Sequence, residues 1–563
     1  MLRAQGRAPD REAGQAAAAT RRIAALLAVA GGALAAIATL GPRVLDIRDL
    51  GWLLHGTLGP DPVSYLLAWT YFAASPWSWP PGLNPGYGLE LSSALFYADA
   101  LPLLAFAAKA LRPLLDIPQY WGPWLALSAA LQAGFAWRLL GLAVADPVAR
   151  ALGAVLFAWQ PMLLNRMGGH FALAAQWALL WALWLCLRDP PRRQTLHWAA
   201  CLGTVAMLNA YILAMGAGLW AADWLARLLR ARGEGGIGAG RLAVQAAVVP
   251  AVAAAALWAA GFFTIAGRLV PVGPGYAETQ LDLTAPFDAV EWGRLLPALP
   301  GLRHWEHGGS YLGAGTLLLL AVAAGLLGRG RPRAALRRHA VLVAALAAML
   351  AFAVSHRVAV AGHVVVLFEL PEPARPLADL LRASERFFWP LAYAAIFAAI
   401  ALVAGRLPRR SARLLLAAVL ALQIADIEAG MARVRALVAA APPATAERLA
   451  DPFWEEAARR YLRVRAVPAG NFGPHWEEIA RFAARHGLPT DAVYLARVDP
   501  DAVAALNARV LGDLAAGRWE GGTLYVLRDA ATWTLVAARA DPTRDLLAIV
   551  DGVSVFAPGW HAP

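Results

Sequence analysis

Apolar residues in this chain gather in long runs, each closed by Pro, Gly or Arg, instead of alternating at strand spacing. Eleven runs, near 23–41, 120–140, 148–164, 171–187, 196–211, 212–229, 242–265, 311–328, 340–355, 386–404 and 413–431, predict helices of membrane-crossing character. A bilayer core about 30 Å thick takes ~20 helical residues per crossing. Beyond residue 440 the pattern changes. Charge returns at regular intervals, Glu455 to Arg465 reads as a helix, and Asp491-Ala492-Val493-Tyr494-Leu495 and Thr523-Leu524-Tyr525-Val526-Leu527 alternate as strands do. Pro442-Pro443 marks the linker. The expected architecture is a tail at 1–22, an all-α polytopic membrane domain of about eleven transmembrane helices at 23–440, and a small α/β soluble domain at 441–563.

Composition sharpens this picture. With 59% hydrophobic residues, 16% charged and a mean hydropathy of +0.51, an ordinary soluble globule, a disordered chain and a coiled coil are excluded. Both cysteines, Cys186 and Cys201, fall inside predicted spans, so there is no disulfide framework. The net charge of +12 suggests nucleic acid until its carriers are located. Placing the N-terminus in the cytoplasm gives the inner turns 23 Lys and Arg and the longer outer loops 12, as the resistance of cations to translocation requires. The cations therefore set topology, a nucleic-acid partner is not expected, and eleven crossings leave the C-terminal domain outside. Arginine in place of nearly all lysine, with Ala, Leu and Gly richness, suggests a GC-rich bacterial genome.

Candidate chemistry then concentrates in the outer loops. The first, 41–119, carries Asp46, Asp49 and His55 before Gly59-Pro60-Asp61-Pro62 and the aromatic helix that follows. Asp61 reads equally as a helix N-cap with Pro62 at the first helical position and as a carboxylate fixed at the membrane interface. A Trp/Pro-rich stretch at 76–88 leads to an amphipathic segment, 93–115, expected to lie along the interface and to carry Asp99. Asp223 and Arg227 have the spacing of a local ion pair, and Asp426 and Glu428 sit near an outer helix end. Arg382 and Arg386 would share a face if their helix extends back, presenting guanidinium forks to phosphate or snorkelling to the interface. His170 is a phosphate or hydroxyl ligand or a turn residue. His304, Glu306 and His307 have metal-ligand chemistry at weak spacing, so metal dependence, on Mg or Mn, stays open.

Several segments together resemble a known superfamily. They are Asp61-Pro62 with Leu67-Ala68-Trp69, Gly86-Tyr87-Gly88-Leu89-Glu90, Asp99-Ala100-Leu101-Pro102, Gln119-Tyr120-Trp121-Gly122, Leu164-Asn165-Arg166-Met167-Gly168-Gly169-His170, Glu306 to Gly313, and Arg382-Ala383-Ser384-Glu385-Arg386. In that order, over 40–440, they look like the GT-C membrane glycosyltransferases, which use polyprenyl-phosphate sugars, and are more closely similar to a bacterial subfamily within them. The resemblance implies transfer to a glycan, lipid or protein acceptor on the periplasmic side of the bacterial inner membrane. It implies catalytic roles for Asp61, as base, and Asp99, donor-phosphate binding by Arg382 and Arg386, and substrate binding by His170, Arg166 and Glu306. Gln176 and Glu385 stand where the pattern has His and Gly, so neither receives a role. Two other classes compete. A flippase would need a polar path across the bilayer, against which the sparse midplane charge argues. A non-enzymatic assembly protein would use its C-terminal domain to recruit partners.

Overall fold

The computed structural model describes residues 8–91, 93–191, 193–234, 238–264, 270–271, 275–299, 309–327 and 333–562. It is mostly helical, and each of the eleven apolar runs contains a helix. Among the described residues five helices are long and apolar enough to cross a membrane: Gln15–Leu40, Ala210–Arg230, Ala239–Ala259, Ser384–Arg406 and Arg409–Ala440. A sixth arises if Pro147–Ala158 and Pro161–Gly168, bent by 41°, count as one span. The break falls at Pro161, whose ring and missing N–H cannot continue a helix. Phe171–Leu187, Ala314–Leu327 and Ala340–Val354 are apolar but shorter. The helices pack closely where small residues meet: a Cβ on Gly32 would collide with the Ala129 carbonyl.

Polar residues within the bundle are satisfied locally. Asp223 and Arg227 form the expected ion pair at 2.8 Å, and Gln194 and Trp198 also donate to Asp223. Asp426, near the end of the predicted span 413–431, is not left to solvent or lipid. It is fully buried, its carboxylate accepting from the Tyr311 hydroxyl at 2.5 Å and the Ala314 and Leu295 amides. Those bonds tie the Arg409–Ala440 helix to the chain before Ala314–Leu327, which is why a carboxylate there is tolerated.

The first outer loop departs from expectation. The Pro60–Ala74 helix forms, but the 93–115 segment is helical only over Pro102–Leu111. Residues 93–101 form a bridge and turns, with Asp99 and Leu101 both in the left-handed region at φ 47° and 52°. Pro102 explains the boundary, since proline disfavours helical geometry in the residue before it.

The C-terminal region is a small α/β unit. Its sheet runs Arg463–Val467, Thr523–Leu527, Val553–Ala557, Leu546–Val550, the first pair parallel and the others antiparallel. The expected helix Glu455 to Arg465 divides: Pro452–Arg460 is helical, capped by Asp451, and Arg463 opens the first strand. The expected strand at 491–495 is an irregular connection beside the sheet. Ala492, Val493 and Leu495 are buried there, and so is Asp491, whose carboxylate accepts from the Ala466 amide and Arg465.

This unit docks on the first outer loop. Gly88 donates to the Thr490 carbonyl and Thr490 to that of Gly86, at 2.8 and 3.0 Å. Arg465, 1% exposed, is bonded by Glu90 from the loop and by Asp491 and Glu520 from its own domain. The Tyr71 hydroxyl reaches the Leu488 carbonyl, and the Glu477 carboxylate accepts the His55 amide.

Candidate active site

Asp61 is presented by the start of the Pro60–Ala74 helix. The helix does not use it as a cap: Gly59, at φ 91°, occupies the N-cap and Pro60 the first turn, leaving the Asp61 carboxylate uncommitted to the backbone. Its Oδ2 lies 3.3 Å from Nδ1 of His170, and the side chain retains 24% of its surface exposed. Burial, then the negative charge of Asp99, pushes its pKa up to about 7, against the pull of Arg386.

Asp99 faces the same space from the turn before Pro102. Burial raises it to about 6, with Arg386 and Arg497 opposing. His170 follows Gly169, and its amide bonds the Arg166 carbonyl at 3.0 Å, closing the short turn that holds its ring beside Asp61. Arg382 and Arg386 do not share a continuous helix as expected. A 3-10 turn, Ser384–Phe388, separates Arg382 from the helix beginning at Trp389. Thr279 bonds the Arg382 carbonyl, and the Arg386 guanidinium lies 4.6 Å from the Tyr211 ring centre. Burial, then the positive charge of Arg497, depresses the pKa of Arg382.

Asp99, His170 and Arg386 line one cavity of about 90 Å³, and Asp61 stands beside it through its contact with His170. Asp99, His170 and Arg386 provide charge and Asn209 and Tyr211 polar contacts, while Tyr65, Phe96, Tyr97 and Phe262 supply an apolar wall. The C-terminal domain contributes Ala496 and Arg497. Arg497 is held there because its strand pairs with Val270–Pro271 and the Ala496 amide bonds the Tyr97 carbonyl at 2.7 Å. Ser64, one turn along from Asp61, donates to the Tyr494 carbonyl at 2.5 Å.

Of the residues singled out from the sequence, Asp61, Asp99, His170, Arg382 and Arg386 converge. Arg166 does not line the cavity: it is 2% exposed, donates to Asn165 at 2.5 Å, and supports the His170 turn through its carbonyl. Glu306, with His304 and His307, lies outside the described residues. Among the described residues no three His, Cys, Asp or Glu stand together as a cation site. Sequence reasoning missed Arg497, Tyr494 and Tyr211. The Arg497 strand is two residues long, too short to leave a pattern.

A family model described as "Domain of unknown function (DUF6311)" matches residues 28–428, most of the chain. The chain belongs to the DUF6311 family. A second model, the DUF6311 C-terminal domain, matches residues 453–558. No curated protein matches. In this DUF6311 chain the cavity straddles both matched segments, since Asp99, His170 and Arg386 belong to the first and Arg497 to the second.

Proposed function

We propose that this protein is a GT-C-type membrane glycosyltransferase that moves a sugar from a polyprenyl phosphate to an envelope glycan, lipid or protein. The observation that carries the reading is the meeting, around one cavity, of two carboxylates of raised pKa, Asp99 in its lining and Asp61 against His170, with the guanidinium groups of Arg386 and Arg497 from two separate parts of the chain. Transfer needs a base, an in-line path and cationic stabilisation of the departing phosphate. Asp61 takes the proton of the acceptor hydroxyl as its oxygen bonds the anomeric carbon. The anomeric carbon–oxygen bond to phosphate breaks, and the oxygen leaves with the electron pair toward Arg386, Arg382 and Arg497.

A carboxyl with a pKa near 7 is matched to this task, being ionised in a useful fraction while still basic enough to accept a proton. His170 orients the carboxylate through its 3.3 Å contact, and Asp99 raises its basicity and receives the acceptor. In this reading eleven helices cross the bacterial inner membrane with the N-terminus cytoplasmic, so the cavity and the C-terminal domain face the periplasm. The arginine-rich turns support that orientation. The test is transfer from a polyprenyl-phosphate sugar by the purified full chain and its Asp61→Asn variant. Loss of turnover with donor binding retained supports the assignment, and unchanged turnover removes it.

A further inference from the structure

Between the Ala340–Val354 helix and the Ser384–Arg406 span the chain makes an antiparallel hairpin, Arg357–Val360 with His363–Val366. Every residue from Val360 to Glu369 is exposed. Six are large and apolar: Val360, Val364, Val365, Val366, Leu367 and Phe368, with Val365 at 59% and Leu367 at 63%. Successive strand residues point to opposite faces, so Val364, Val365 and Val366 make both faces apolar, whereas a solvated hairpin keeps one polar.

The hairpin is held in place. Its turn residues Ala361 and Gly362 have φ of 50° and 79°, as a tight primed turn requires. Their amides donate to the two carboxylate oxygens of Asp282 at 3.1 and 2.8 Å, and the Leu283 amide bonds the Ala359 carbonyl at 2.9 Å. Burial and these bonds act on Asp282 in opposite directions, and its carboxyl lies below the ordinary range.

We propose that this hairpin is a membrane-contact element whose occupant is the headgroup–acyl boundary of the bilayer. Three observations select that depth. First, the hairpin begins three residues after an apolar bundle helix, and a four-residue strand reaches only about 13 Å. The polar interface is about 5–8 Å deep on each side of the hydrocarbon, so the tip stays within reach of it. Second, the outer edge of the His363–Val366 strand pairs with no other strand among the described residues, which excludes the hydrocarbon core. Third, six clustered apolar side chains disfavour bulk water. The same segment continues to Leu380, which lines the cavity, so docking of the hairpin would fix the cavity mouth relative to the lipid surface. This inference does not rest on the transfer reaction.

The test uses the full chain with Val365→Cys carrying an environment-sensitive fluorophore, in phosphatidylcholine nanodiscs, with labelled wild type giving the background from Cys186 and Cys201. Expected are a blue-shifted emission, stronger quenching by lipid spin labels near the headgroup than near the chain end, and little quenching by aqueous iodide. Iodide quenching without lipid quenching overturns the proposal, as does stronger quenching at the chain end. Shielding from both quenchers, the mark of a protein partner or a second copy, overturns it as well.

Discussion

Replacing Asp61 by Asn separates the stability cost of this carboxylate from its chemistry. Burial and Asp99 raise its pKa from an ordinary 3.8 to about 7, so the folded protein binds this proton more tightly than the unfolded chain. Stability linked to a proton held by the folded state falls as pH rises from about 3.8 and is lost by about 7. A rise of about three pH units corresponds to at most about 4 kcal/mol at ~1.36 kcal/mol per tenfold. It is an upper figure because 24% of the side chain stays in contact with solvent. Asn carries no charge at any pH. The variant should therefore match wild type at pH below the ordinary carboxylate range and exceed it increasingly up to about pH 7, then run parallel. Thermal unfolding of the detergent-solubilised full chain across that range measures the gap. A gap that does not change with pH, or a variant less stable above pH 7, would show that Arg386 and His170 stabilise the ionised form more than burial opposes it.

Four further outcomes follow from the same geometry. Wild-type transfer should rise about tenfold per pH unit below about 7 and level above it, and Asp99→Asn should move that limb to lower pH, since removing the neighbouring charge lowers the Asp61 pKa; pH–rate profiles decide. Arg497→Ala should weaken donor binding by about tenfold or more, with Arg497→Lys recovering part, read as KM for the donor. Arg465→Met leaves Asp491, fully buried, without its guanidinium partner and should cost ~3–5 kcal/mol, seen as lowered thermal stability and as protease release of the C-terminal domain. Gly122→Ala should abolish folded yield, because the added Cβ would overlap the Val44 carbonyl, a backbone atom that cannot step aside; size-exclusion profiles report it.

How much was legible in the sequence differs by scale. Helix positions were, because apolar runs leave a local signal, and so was the Asp223–Arg227 pair, a contact within one helical turn. Of the residues that type and order select in the sequence, Asp99, His170 and Arg386 line one cavity, with Asp61 against His170. Local geometry was less legible. Of the two readings the sequence offers for Asp61, the cap is not realised, because Gly59 and Pro60 take that place and glycine reaches φ 91° without strain. Asp99 was placed on a helix, but Pro102 ends helical geometry before it. The polar–apolar alternation at 491–495 predicts a strand, yet the segment packs beside the sheet with Asp491, Ala492 and Val493 buried in succession.

The sequence by itself determined that apolar helices dominate the first 440 residues, that an α/β unit follows, and that ionisable groups gather in the loops, all properties carried by neighbours in the chain. Only the tertiary structure decided that the α/β unit is part of the site. Arg497 reaches the cavity through a strand pair with residues 270–271, and Ser64 bonds the Tyr494 carbonyl nearby, contacts between segments hundreds of residues apart. The perturbation of Asp61 and Asp99 has the same origin, since it depends on what surrounds each carboxylate after folding and on no residue beside it in sequence.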